Sequence, residues 1–163
     1  MMKRMQAALS VIAIASVVAP STPATAQTAS EVLPTMPETV GLSQGAALYA
    51  QNCATCHGAE LGGQPDWRTP GADGILPAPP HDDTGHTWHH SDAVLYNYTA
   101  LGGDEVMARM GVTFDSGMPG FADSLTPQEI WNILAYIRST WPDRIQEIQA
   151  VRTEAEISAR GDR

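Results

Sequence analysis

Two cysteines and a histidine lie within five residues of one another, in Cys53-Ala54-Thr55-Cys56-His57. The run is C-x-x-C-H, the pattern of a c-type haem attachment site. The chain has 2 cysteines, and both are in this run. Each thiol can add to one vinyl group of a haem and form a thioether. Two intervening residues set the sulfurs one vinyl-to-vinyl span apart. The next residue then lies beneath the macrocycle, so His57 is the candidate proximal ligand of the iron. Three other chemistries use similar residues. Exported cysteines form disulfides. A thioredoxin-like C-x-x-C belongs to a βαβ context, whereas the residues before Cys53 read as helix. A zinc site takes about four ligands, and the adjacent Cys56 and His57 do not obviously converge on one ion. Haem attachment agrees best with the features downstream.

The first of these is Met118, within Asp115-Ser116-Gly117-Met118-Pro119-Gly120-Phe121. It stands between a glycine and a proline, on irregular backbone able to bring a thioether to an iron. Met107 and Met110 read as packing methionines. Residues 81–90 hold four of the 5 histidines, His81, His86, His89 and His90, together with Asp82 and Asp83. Clustered histidine is a compositional signal that leaves three readings open. They are a second metal site such as copper, donors to the haem propionates, and a polar loop. The copper reading would make the protein a metal-handling or sensing haem protein.

Helices must position these groups. Ser43 is an N-cap candidate for a helix from Gln44 to about Asn52. Gly45 and Tyr49 lie four apart and share a face, and a glycine there lowers helix stability, which suggests close approach by another element. Residues 59–80 are rich in Gly and Pro and read as loop, with Trp67 a possible cover for the haem. Ser91 caps a helix from Asp92 to about Ala100, with Val94, Leu95 and Tyr98 inward. Gly102-Gly103 stops it, and residues 104–110 allow a further helical turn. Thr126, Pro127 and Glu129 form a capping box with proline at the first helical position. That helix runs to about Trp141, where Pro142 ends it. Its apolar face holds Ile130, Leu134 and Ile137.

These residues together resemble the class I c-type cytochromes, over roughly residues 42–141. The resemblance rests on Cys53, Cys56 and His57, on Met118-Pro119-Gly120-Phe121, and on the flanking helices. It implies a mainly α fold, a small helical domain wrapped around one covalently attached haem c. It implies Met118 as the sixth iron ligand opposite His57. It also implies that the first helix crosses the last by a small residue and aromatics, which matches Gly45, Tyr49 and Tyr136. His/Met ligation raises a haem potential and suits electron transfer. The expected partners are redox proteins: a dehydrogenase, an oxidase or another cytochrome. No catalytic residues are expected, although the chain could serve as the electron-transfer subunit of an oxidoreductase.

The 163 residues suit one such domain with an export segment and tails. Lys3 and Arg4 precede an apolar run, and Ala24-Thr25-Ala26 follows as an A-x-A cleavage signal. Residues 1–26 therefore read as a signal peptide for a periplasmic protein, leaving no transmembrane span once cleaved. An uncleaved N-terminal anchor is the alternative. Residues 27–41 read as a flexible leader, and residues 142–163 as a charged, solvated tail, with a weakly amphipathic helix through Ile145, Ile148, Val151 and Ile157 as the alternative. Losing Lys3 and Arg4 takes the formal charge from −9 to −11. So acidic a chain offers no basic patch for nucleic acid, and its charge favours partners with positive surfaces.

Overall fold

A computed structural model describes residues 34–161. The signal segment and residues 27–33 of the leader lie outside the described residues. The elements in order are α1 (Leu42–Asn52), α2 (Ala54–His57), a short 3-10 turn (Thr87–His89), α3 (Asp92–Leu101), α4 (Gly103–Arg109), α5 (Pro127–Ser139) and α6 (Asp143–Gly161). There is no strand among the described residues. The mainly α expectation holds.

The centre of the fold is the crossing of α1 and α5. Gly45 allows it: a Cβ there would strike the carbonyl of Asn132. Tyr49 then packs on Tyr136, with ring centroids 5.6 Å apart. Tyr49, Ile130, Ile133, Leu134 and Ile137 form the buried core, joined by Trp131 and Trp141. Helix α5 starts as its sequence demands. The Thr126 hydroxyl accepts from the Glu129 amide, and the Glu129 carboxylate accepts from the Thr126 amide. This reciprocal cap satisfies two donors that a helix start leaves open.

The start of α1 differs from expectation. The helix begins at Leu42, its N-cap is Gly41, and no side chain caps it. A tertiary contact replaces the local cap, because the Gly41 amide donates to Asn132 Oδ1 at 2.8 Å. Helix α3 does start at Ser91, whose hydroxyl accepts from the Val94 amide. Its inward face is displaced by one residue from the expected one. Leu95 and Tyr96 pack on the core, and Tyr96 stacks on Trp131 at 4.7 Å.

Two terminal expectations are corrected. Within the leader, Met36 packs against the core, and its amide donates to Asp92 Oδ2. The stretch after Pro142 is an ordered 19-residue helix, not a solvated tail. Gln149 fastens it: the side chain is 1% exposed, and its amide donates to Asp92 Oδ1 at 2.8 Å. Thr153 accepts from the Asp92 amide, and Ser91 bonds Glu156. The helical alternative read from Ile145, Ile148, Val151 and Ile157 is the one that holds, with Ile145 packed on the core and polar side chains docking the rest.

Candidate functional site

Cys53, Cys56 and His57 occupy one helical turn between α1 and the following loop. The amides of Cys56 and His57 both donate to the Cys53 carbonyl, at 3.1 and 2.9 Å. The two cysteines are not joined to each other; Cys53 is buried and Cys56 exposed. Burial, with Cys56 nearby, pushes the Cys53 thiol up to about 11. Gly58 then turns the chain with a φ of 81°, a conformation costly for residues with a side chain. Tyr49 donates its hydroxyl proton to the Gly58 carbonyl at 2.9 Å. Burial, then the neighbouring Cys53, Tyr136 and Asp82, raise the Tyr49 pKa and keep that proton in place.

His57 is 7% exposed, and its Nδ1 lies 2.8 Å from the Pro79 carbonyl oxygen. A carbonyl only accepts, so Nδ1 carries the proton and Nε2 keeps its lone pair. Burial holds the ring's pKa below its usual value, partly offset by the Pro79 bond. A neutral imidazole with one nitrogen anchored and the other bare is the form that ligates a metal. The loop behind it is held closely. A Cβ on Gly63 would stand 2.5 Å from the Pro80 nitrogen, and the Gly63 amide donates to the His57 carbonyl.

Met118 is half-buried, on the loop before α5. That loop is fastened to α3 and α4 through backbone. Gly103 donates to the Met118 carbonyl, Phe121 to Thr99 and Ala122 to Ala100, each at 3.0 Å. Ser116 adds a bond to the Met118 amide at 3.2 Å. Gly102 and Gly120 permit this approach, since a Cβ on either would lie 2.7 Å from backbone across the junction. The Met118 backbone therefore has a fixed position, although no regular element contains it.

The histidine-rich segment divides. His81 stacks on His57, with centroids 3.9 Å apart and planes 22° from parallel. His86 stacks on Trp67 at 5.2 Å, and the Arg68 guanidinium lies 4.0 Å from the Trp67 ring centroid. His89 stacks on Trp88 at 3.6 Å. His90 meets His86 edge-on. Among the described residues, no three His, Cys, Asp or Glu side chains gather as metal ligands would. The segment thus packs its rings on aromatic neighbours. Burial, then the neighbouring His57 and His86, push the His81 pKa well down.

Sequence reasoning missed two parts of this arrangement. The Pro79 acceptor is a backbone atom, which leaves no residue-type signature. The pairing of His81 with His57 joins positions 24 apart, and only the loop path brings them together.

The cytochrome c family model matches residues 42–141. Among curated proteins, the chain is similar to the cbb3-type cytochrome c oxidase subunit FixP of Sinorhizobium medicae (strain WSM419). The two are 33% identical over 98 residues, covering 60% of this chain and 29% of that protein. The chain thus spans less than a third of that relative's length. No solved structure matches it significantly. No described helix is long and apolar enough to cross a membrane.

Proposed function

This chain belongs to the cytochrome c family and carries covalently bound haem c, and on that premise we propose that it transfers single electrons between redox proteins. Cys53 and Cys56 would hold the haem through thioethers, His57 Nε2 would ligate its iron, and the Met118 thioether would take the opposite position. Bound there, haem c supplies a one-electron ferric–ferrous couple. The bond from His57 Nδ1 to the Pro79 carbonyl is the observation that carries the reading. It selects the tautomer that leaves Nε2 with its lone pair, and it anchors one nitrogen of the ring.

The chain's own residues then do little but hold still. Pro79 and Tyr49 lock the attachment turn, and the Gly102–Gly120 junction locks the loop of Met118. Such rigidity keeps the rearrangement between oxidation states small. A thioether opposite an imidazole favours the reduced iron and raises the potential. With His57 and Met118 both held as ligands, the protein would act as an electron-transfer component.

The similarity to an oxidase subunit and the acidic charge of −9 together favour an oxidase or dehydrogenase partner presenting a basic surface. The Ala24-Thr25-Ala26 signal supports export to the periplasm. A purified mature protein whose mass begins at Gln27 checks that step, and one retaining Met1 refutes cleavage.

The ligand set is tested by absorption spectra of the haem-loaded protein and of Met118→Ala. Wild type should show the far-red methionine-to-iron charge-transfer band when oxidised, and the variant should lose it. Once reduced, the variant should also bind carbon monoxide at neutral pH while wild type does not. A wild-type spectrum without the band would overturn Met118 as a ligand.

A further inference from the structure

The His57 ring hangs on an sp³–sp² bond, and torsions of this kind have broad, soft minima. The Pro79 carbonyl holds one ring nitrogen. What opposes rotation of the ring face is His81. A centroid separation of 3.9 Å and a 22° tilt put the two ring faces in van der Waals contact. Turning His57 would drive its edge into the face of its neighbour.

His81 is itself anchored from four parts of the chain. Its amide donates to the Leu61 carbonyl at 2.7 Å. Its carbonyl accepts from Trp141 Nε1 at 2.7 Å. The edge of Tyr49 approaches it, with centroids 6.3 Å apart. Its Nδ1 lies 2.8 Å from the Thr87 hydroxyl, and that hydroxyl donates to the Pro80 carbonyl at 3.4 Å. Thr87 is 6% exposed. The buried Thr87 hydroxyl thus ties His81 Nδ1 to the Pro80 carbonyl, which holds the His81 plane. The loop, α1, the 3-10 turn and the junction between α5 and α6 thus converge on one imidazole that touches the candidate ligand.

We propose that His81 is a positioning residue, a fixed plate that sets the rotation of the His57 imidazole and so the plane in which it meets the haem iron. This rests on His57 being the axial ligand. The orientation of an axial imidazole lifts the near-degeneracy of two iron d orbitals, so it governs how unpaired spin spreads over the four haem methyl groups. The plate thereby controls an electronic property of the site without touching the metal.

The test uses proton NMR and electron paramagnetic resonance of the oxidised, haem-loaded protein. In wild type, the hyperfine-shifted imidazole and Cβ protons should belong to His57. His81→Leu keeps bulk but removes the flat ring, and should change the order and spread of the haem-methyl shifts together with the principal g values. Thr87→Val removes the anchor at nearly constant volume and should shift both in the same direction. His81→Phe restores a flat ring and should return the pattern toward wild type. Should His81→Leu fail to fold, Thr87→Val still decides. If the shifted imidazole protons belong to a different histidine, the ligation reading fails. If they belong to His57, and the variants lower the melting temperature but leave methyl shifts and g values unchanged, His81 is merely structural and the proposal is overturned.

Discussion

Gly45 and Asn132 meet backbone to backbone. A Cβ on Gly45 would stand 1.9 Å from the Asn132 carbonyl oxygen and 3.0 Å from the Cβ of Tyr136. The first of these atoms belongs to α5 itself and cannot rotate away. The same α1 helix leads directly into the turn of Cys53, Cys56 and His57, so the crossing also sets where the attachment site begins.

Gly45→Ala should therefore cost about 3 kcal/mol, the upper range for overpacking a close contact. Thermal unfolding of the haem-loaded variant measures it. A variant as stable as wild type would show that α1 and α5 can separate without loss.

Gln149→Ala should cost about 2 kcal/mol, since it leaves buried Asp92 Oδ1 short of a hydrogen-bond donor. The oxidised and reduced spectra should stay as in wild type, because Gln149 contacts neither the attachment turn nor the Met118 loop by hydrogen bond. Denaturant unfolding beside visible spectra checks both statements. Unchanged stability would mean that α6 does not depend on this contact.

Stability should decline in acid through the histidine segment. Burial, then the neighbouring His86, His89 and Arg152, hold His90 below its ordinary value of 6.5. As pH falls, the unfolded chain takes up this proton before the folded chain does. The contribution is thus complete above about 6.5 and is lost as pH drops below it. Urea midpoints between pH 8 and pH 5 should fall less steeply for His90→Asn. Equal slopes would remove His90 as a source of the acid sensitivity.

Copper should not bind tightly to residues 81–90. His81, His86 and His89 each stack on a different ring, so a shared ion would require unstacking them. Calorimetric titration of the haem-loaded protein should give no stoichiometric complex. A tight one-to-one complex, lost in His86→Ala, would restore the metal-handling alternative.

The attachment turn was legible because covalent chemistry ties residue type to spacing: Cys53, Cys56 and His57 can be read from five letters. The start of α5 was legible for a similar reason, since Thr126, Pro127 and Glu129 complete their cap within four residues. Gly45, Tyr49 and Tyr136 were paired through the resemblance, and the structure brings them together. Met118 was marked by its setting between glycine and proline, and its backbone is indeed held in an irregular loop.

What the sequence by itself determined, then, is whatever depends on near neighbours: the haem-attachment motif, the caps of α3 and α5, and the apolar stripe of α5. Tertiary structure alone decided the rest. The start of α1 follows from Asn132, far along the chain, and the order of α6 follows from Gln149 reaching Asp92. The Nδ1 proton of His57 is fixed by a carbonyl whose residue name carries no information. His81 became a plate for His57 only because the intervening loop folds back, and stacking energy depends on distance in space, not on separation in sequence.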